Sequence, residues 1–585
     1  MKRIKALTFG CFAAPLLQIA PAQAQFTTPN VIATTGATAS TLGSTTFVNQ
    51  GLVGVGRISA SALDSFGETF GSASGLQITD WGGDGESGYT GTFQILPDRG
   101  YNNNNAGGFF SHYAARIQSV DFAFVPYVGP TNVGGDDLSS KIAAQNQITF
   151  TSPIRGRKFT YFDTNAGIAL PTTGLDPASS SATLFGNPMP YVTSYTGQRT
   201  PGASNETFVG INRLALDSEA LALKPDGSGY VGDEYGAHIY YFNANKEIVG
   251  AIVPPPAMQP HLPVGVLNFQ STATPTDGRR NNQGLEGVAL SPDGNTLFAL
   301  LQSATRQDSD AANNQNARHT RLLIYDVSGS TTPASPIAAH ALTLPTLKLN
   351  GNGGAVDRTA AQSELVALDD HRLLVLARDG NGLGSNATNP SMYKSVLLVD
   401  TQLGNPTNFV NDVASTTVAG KITSASGVLS PGIVPLAWTE VVNILNGAQL
   451  GKFNVELDSG GQVSKLTLGE KWEGMSLVPA NDPVHPYDHF LFVANDNDFL
   501  TSAGTMVGPD GTNVAYNAFV SHPATRIPPA VGDATDPTNN ENDTMFLVYR
   551  VTVVPEPGVM ASLGAGAIGL AMAVSRLRRA GGRDH

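Results

Sequence analysis

An all-β fold closed into a β-propeller of six blades, with five to seven allowed, is predicted by three observations. A strand–turn–strand unit recurs along the chain, no segment of the repeat shows helical periodicity, and the composition is that of a turn-rich protein. Charged residues make up 14% of the sequence, against 64 Gly and 37 Pro, which implies many turns and few long polar helices.

The unit consists of an acidic residue, a short apolar run, a turn, a second apolar run and a polar cluster. It runs from Glu219 through Pro225-Asp226-Gly227 to Asp233-Glu234, from Glu286 through Pro292-Asp293-Gly294 to Gln302-Ser303, and from Glu364 through Asp369-Asp370-His371 to Arg378-Asp379. A fourth copy with a longer turn runs from Glu473 to Asn495-Asp496-Asn497-Asp498, and a degenerate fifth from Ser74-Gly75-Leu76 to Asp98-Arg99-Gly100. Runs of four to six apolar residues joined by tight turns read as antiparallel strand pairs. Strand pairs repeated through one chain build a ring of blades. The long gap between the first and second copies leaves room for a hidden blade. The strand-rich segment Met545 to Val553 is expected to complete a blade begun near the N-terminus, which would remove exposed sheet edges.

In such a ring the residue before each innermost strand and the residues after the next strand emerge on one face. Glu219, Glu286, Glu364 and Glu473 are therefore expected to ring the channel mouth, with Asp233, Glu234, Asp379, Asp496 and Asp498 beside them. The turn acids Asp226 and Asp293 would lie on the opposite face as ordinary turn residues. Two carboxylates 4 Å apart repel by about 4 kcal/mol at an effective dielectric near 20, so converging acids require cations or raised pKa values. An oxygen-only ligand set suits a hard ion, and Ca²⁺ is the expected cofactor. The alternative is that each glutamate caps its blade by accepting from backbone amides.

The ends carry their own signals. Lys2, Arg3 and Lys5 precede an apolar stretch and Ala22-Gln23-Ala24, which reads as a signal peptide cleaved after Ala24. The single cysteine, Cys11, lies inside it, so the exported chain has no disulfide. Residues 25–554 form the expected propeller domain. At the other end, Pro555-Glu556-Pro557, an uncharged run to Ser575 and Arg576, Arg578 and Arg579 resemble a PEP-CTERM sorting signal. That resemblance implies a short transmembrane helix within residues 555–585, processing by an exosortase and transient anchoring at the cell surface. The whole chain carries −13, and removing a leader of +3 and a tail of +2 leaves −18. So acidic a domain argues against nucleic acid as a partner and for cations.

Asp217-Ser218-Glu219, Gly232-Asp233-Glu234-Tyr235-Gly236, Gly284-Leu285-Glu286-Gly287, Leu376-Ala377-Arg378-Asp379, Lys471-Trp472-Glu473-Gly474 and Asn495 to Phe499 together resemble the phytase-like esterase family over roughly Gly54 to Val551. The resemblance implies a propeller and hydrolysis of an ester or phosphoester small molecule. The expected chemistry is attack by a metal-activated water. Glu286, Glu473, Arg378 and His238 are the catalytic candidates, and Arg99 is a second phosphate clamp. A lactonase and a calcium-stabilised binding module for the surface or matrix are the alternatives. A serine-esterase elbow is absent from the sequence.

Overall fold

A computed structural model describes residues 24–554 apart from 86, 104–107, 130–137, 178–180, 310–314, 383–387, 414–419, 425–426, 458–465 and 519–540. The leader before Ala24 and the tail from Pro555 onward lie outside the described residues. The architecture is all-β, with mainly antiparallel sheets and, among the described residues, helices of no more than six residues. Among the described residues no helix is long and apolar enough to cross a membrane.

Five larger sheets organise the chain. The first comprises Gly75–Asp84, Gly88–Leu96, Arg116–Phe124 and, beside the last of these, Ile148–Phe150 and Arg155–Lys158. In the second, Ser218–Leu223, Gly229–Asp233, Ile239–Phe242 and Glu247–Ile252 are extended by Thr160–Asp163, which pairs in parallel, and by Ile168–Pro171. The third is Leu285–Leu290, Thr296–Leu301, His319–Asp326 and Ala338–Thr343. The fourth is Ala361–Ala367, Arg372–Arg378, Lys394–Asp400 and Ala437–Asn443.

The fifth sheet joins distant parts of the chain. Trp472–Pro479 and Asp488–Asn495 are followed by Thr544–Val554, then by Thr45–Ile58 and Thr38–Leu42. Thr544–Val554 thus lies hydrogen-bonded between Asp488–Asn495 and the N-terminal strand Thr45–Ile58. The C-terminal run finishes a sheet that the N-terminal segment also enters, as expected.

The first strand of each sheet touches the first strand of the next, from Gly75–Asp84 through Ser218–Leu223, Leu285–Leu290, Ala361–Ala367 and Trp472–Pro479 back to Gly75–Asp84. An apolar cluster fills each of the five junctions. Leu96 and Ile117 meet Leu221 and Val231, and Ala220 and Tyr230 meet Leu297 and Leu301. Phe298 and Leu300 meet Leu373 and Val375, Leu374 and Val396 meet Leu491 and Leu547, and Phe93 and Phe122 meet Phe492 and Phe546. The last junction is aromatic, with the Phe93 and Phe122 rings stacked 3.9 Å apart. Buried area of this kind contributes roughly 25 cal/mol per Å².

Six sheets were the central expectation, and the described residues hold five around these contacts. The long interval between the first and second repeat copies contains outer strands of the first two sheets and a separate three-stranded sheet, Ser181–Leu184, Asn187–Gln198 and Asn205–Leu214. Its length came from strands added at the rim, which carry no inner-strand acid to mark them.

Candidate functional site

Backbone pairing places the acids. In three sheets a register shift leaves one residue of the inner strand unpaired, and that residue is a glutamate: Glu219 between Ser218 and Ala220, Glu286 between Leu285 and Gly287, and Glu473 between Trp472 and Gly474. Such bulges re-aim a side chain. The residue that follows lies close to its neighbours. A Cβ at Gly287 would meet Leu365 Cγ at 2.7 Å, and one at Gly474 would meet Leu76 Cβ at 2.9 Å. Glycine after Glu286 and after Glu473 is therefore a packing requirement.

Glu364 differs from its expected place. The shift in the fourth sheet lies between Gln362 and Glu364, so Ser363 is the unpaired residue and Glu364 occupies the position of Ala220, Gly287 and Gly474. Counting apolar residues alone misaligned this copy by one. Glu364 is buried, and its carboxyl is pushed well up, first by burial, with Glu286 and Glu473 adding to the effect against the backbone amides of Leu365 and Leu76.

A second set of positions faces the first. Gly75, Ala220, Gly287, Glu364 and Gly474 pair with Leu96, Gly232, Leu300, Leu376 and Ala494, and two residues beyond these stand Asp98, Glu234, Gln302, Arg378 and Asp496. Carboxylates thus occupy this position in the first, second and fifth sheets, and a guanidinium in the fourth.

Two carboxylate triads result. Asp217, Glu219 and Glu234 bring one oxygen each within 4.8 Å of one another, and so do Asp98, Asp496 and Asp498. Burial is the leading cause of raised pKa at Asp98, Asp217, Glu219 and Glu286, each with contributions from neighbouring acids. Glu234 is pushed up to about 8 by burial and Asp217, and Glu473 to about 7 by burial with Asp496 and Asp498, against the pull of Arg378. Such shifts mark groups whose charge lacks compensation.

Three cations stand among these acids. Arg99 donates to Asp217 at 2.7 Å and to Asn282 at 2.7 Å. Arg378 donates to Glu473 and lies 3.8 Å from Glu286. Lys471 donates to Asp496 at 2.7 Å and also to Asp498. Gln302 donates to the other oxygen of Glu286.

Three further expected site residues are differently engaged. Asp233 accepts from the backbone amides of Asp217, Tyr235 and Gly236 at 3.1, 3.2 and 2.8 Å, so it holds the loop carrying Glu234. Asp379 accepts from the amides of Asn381, Met392 and Tyr393 and from Lys394 Nζ at 2.9 Å. Its charge is neutralised inside the fourth sheet. His238 is buried against Tyr240 and Phe269, with Nδ1 3.7 Å from Asp233.

Asp98, Asp217 and Lys471 were not in the expected ligand set. Asp98 had a usable signal, since it ends the degenerate first copy where Glu234 and Asp496 end theirs. Asp217 lies two residues before Glu219, outside the repeat unit.

Against known proteins, the profile of a family described as Phytase-like, esterase-like activity of phytase, matches residues 68–499. An uncharacterized secreted protein of Arthroderma benhamiae is 31% identical over 492 residues, covering 79% of this chain and 89% of the relative. Among solved structures, a PQQ-bound aldose sugar dehydrogenase of Streptomyces coelicolor aligns with 89% of this chain and all of that one, at 10% identity and a TM-score of 0.23. Hsv2 of Kluyvelomyces marxianus aligns with 55% of this chain and 93% of that one, at 10% identity and a TM-score of 0.19. Likenesses that shallow bear no weight.

Proposed function

The chain belongs to the phytase-like family, and from that premise we propose that it is an exported, calcium-dependent hydrolase of phosphoesters or related esters. The five sheets are read as the blades of a propeller whose acidic mouth is the reaction site. The observation that carries this reading is the concentration of buried carboxylates, Glu219 and Glu234 among them with raised pKa, beside two arginines at one end of the inner strands.

Asp217, Glu219 and Glu234 would hold the ion. Their oxygen-only, irregular set suits Ca²⁺, and their raised pKa values are those of a cation site without its charge. A cation bound there supplies polarisation of a phosphoryl or carbonyl oxygen. Arg378, held by Glu473 and Glu286, orients an anionic oxygen through its planar fork, and Arg99 fixes Asp217 in place. Glu473, held near neutral pKa, takes the proton of the attacking water, since a general base works best when its pKa lies near the working pH. The acid–base role read for His238 thereby passes to Glu473.

The test is hydrolysis of p-nitrophenyl phosphate and p-nitrophenyl acetate by the protein purified from cells, with chelator and with added Ca²⁺. Calcium-restored turnover is expected. Turnover indifferent to chelator, or none with either substrate, rejects the metal-centred hydrolase. The engagement of Arg99 and Arg378 by buried acids favours the alternative, a calcium-stabilised binding surface, in the second outcome.

Export rests on the leader ending at Ala24 and on the secreted relative. Surface anchoring by an exosortase and a membrane helix rests on the Pro-Glu-Pro tail alone. Mass spectrometry of cell-derived protein should find an N-terminus near Gln25 and no peptide beyond about Gly558, and an intact chain from Met1 to His585 would contradict both.

A further inference from the structure

The two carboxylate triads are alike in ligand chemistry and differ in how a cation meets them: in the first, Arg99 pairs with Asp217 alone. In the second, the ammonium of Lys471 sits 2.7 Å from Asp496 Oδ2 and also donates to Asp498. The backbone fixes the group there. Lys471 has a φ of +39°, in the left-handed region that non-glycine residues seldom adopt, and its carbonyl accepts the Asp496 amide at 2.8 Å. Two of the other carboxylate oxygens are engaged locally. Asp496 Oδ1 accepts the amide of Asp498 at 2.7 Å, and Asp98 Oδ1 that of Gly100 at 2.9 Å. In the first triad, among the described residues, neither Glu219 nor Glu234 makes an ion pair.

We propose that Lys471 is a tethered cation filling the second triad, so that the mouth takes one exchangeable divalent ion, at Asp217, Glu219 and Glu234, where its carboxylates alone would take two. The inference rests on the cation reading given above and adds to it the stoichiometry and the residue that sets it. A lysine delivers one positive charge as a point donor and cannot offer the open coordination positions of a metal. It donates to two of the three acids and offsets one of their charges.

The test is calcium titration of the full chain by calorimetry, with terbium luminescence as a second probe of stoichiometry. One ion per wild-type chain is expected. Asp217→Asn should weaken that ion at least tenfold, Asp98→Asn should leave it in place, and Lys471→Met should raise the count to two. Two ions on the wild type, loss of the single ion in Asp98→Asn, or a folded Lys471→Met that still binds one would each overturn the assignment. If Lys471→Met fails to fold, the contrast between Asp98→Asn and Asp217→Asn decides. A wild type that binds no ion removes the underlying cation reading instead, and the two failures are thus told apart.

Discussion

Acids of the same repeat behave in opposite ways at its two ends. At the turns, Asp226 accepts from the amide and hydroxyl of Ser228, Asp293 from Ser291 and Asn295, and Asp369 from Arg372 and the amide of His371. Partners a few residues away hold all three below the usual carboxylate range, although burial opposes this at Asp369. At the mouth, Glu219, Glu234, Glu286 and Glu473 are buried and pushed upward. A turn acid is satisfied by its own loop, whereas a mouth acid depends on something brought from elsewhere. The difference lies in whether the local backbone offers donors.

The largest break in that contrast should come from removing a partner at the mouth. Arg378→Met leaves Glu473 and Glu286 buried without their guanidinium, and loss of one partner of a buried pair typically costs about 3–5 kcal/mol. Chemical denaturation should show this loss at pH 7 and much less of it at pH 5, where the carboxyls are protonated. An equal loss at both pH values would mean that Arg378 acts by packing.

Chelation comes next. An ion that binds only the folded state stabilises it by about 2.7 kcal/mol at 100 times Kd, a shift of a few degrees in Tm. Glu234→Gln should remove most of the calcium increment and, at pH 8, raise the Tm of the chelated protein, because it deletes an uncompensated charge. Asp293→Asn should leave the increment intact. Matching behaviour of the two variants would erase the distinction between the ends.

The pH dependence sharpens it further. A carboxyl raised in the folded state binds more protons folded than unfolded, so stability is highest below the unfolded value and falls as pH rises toward the folded one. For Glu234 and Glu473 the window runs from 4.5 to about 8 and about 7. In chelator, Tm should therefore fall from pH 5 to pH 8, and calcium should flatten the slope. A Tm that climbs with pH in chelator refutes the raised values. Smallest of all, Asp226→Asn should stay within about 0.5 kcal/mol, the range of ordinary surface changes.

Much of this was legible in the sequence because the repeat ties chemistry to position. The acid–strand–turn–strand pattern with its degenerate copy located all five inner strands and the turn acids, and the apolar run from Met545 located the meeting of distant segments in one sheet. What escaped was information that spacing does not carry. In Asp233-Glu234 the two acids are adjacent, and only the pairing of Asp233 with Ser218 turns the first toward backbone amides and leaves the second at the mouth. Asp379 looked equivalent to other mouth acids until Lys394, fifteen residues on, was seen to neutralise it. Glu364 was misplaced by one residue because its copy inserts Ser363 without changing the apolar rhythm. The count of five such sheets among the described residues, at the low end of the five to seven expected, is a similar case, since added outer strands resemble strands that start a new unit.

The strand Thr544–Val554 is the last in chain order among the described residues, yet it lies between Asp488–Asn495 and Thr45–Ile58. While the chain is being synthesised, Thr45–Ile58 must wait for a partner almost five hundred residues away, which at 5–20 residues per second is of order half a minute to two minutes. Throughout that interval the fifth sheet lacks its middle and the chain remains threadable. A product cut before Thr544 would carry two unpaired strand edges, each a template for joining another chain. The position of one strand thus makes the arrival of Thr544–Val554 the event that completes the fifth sheet.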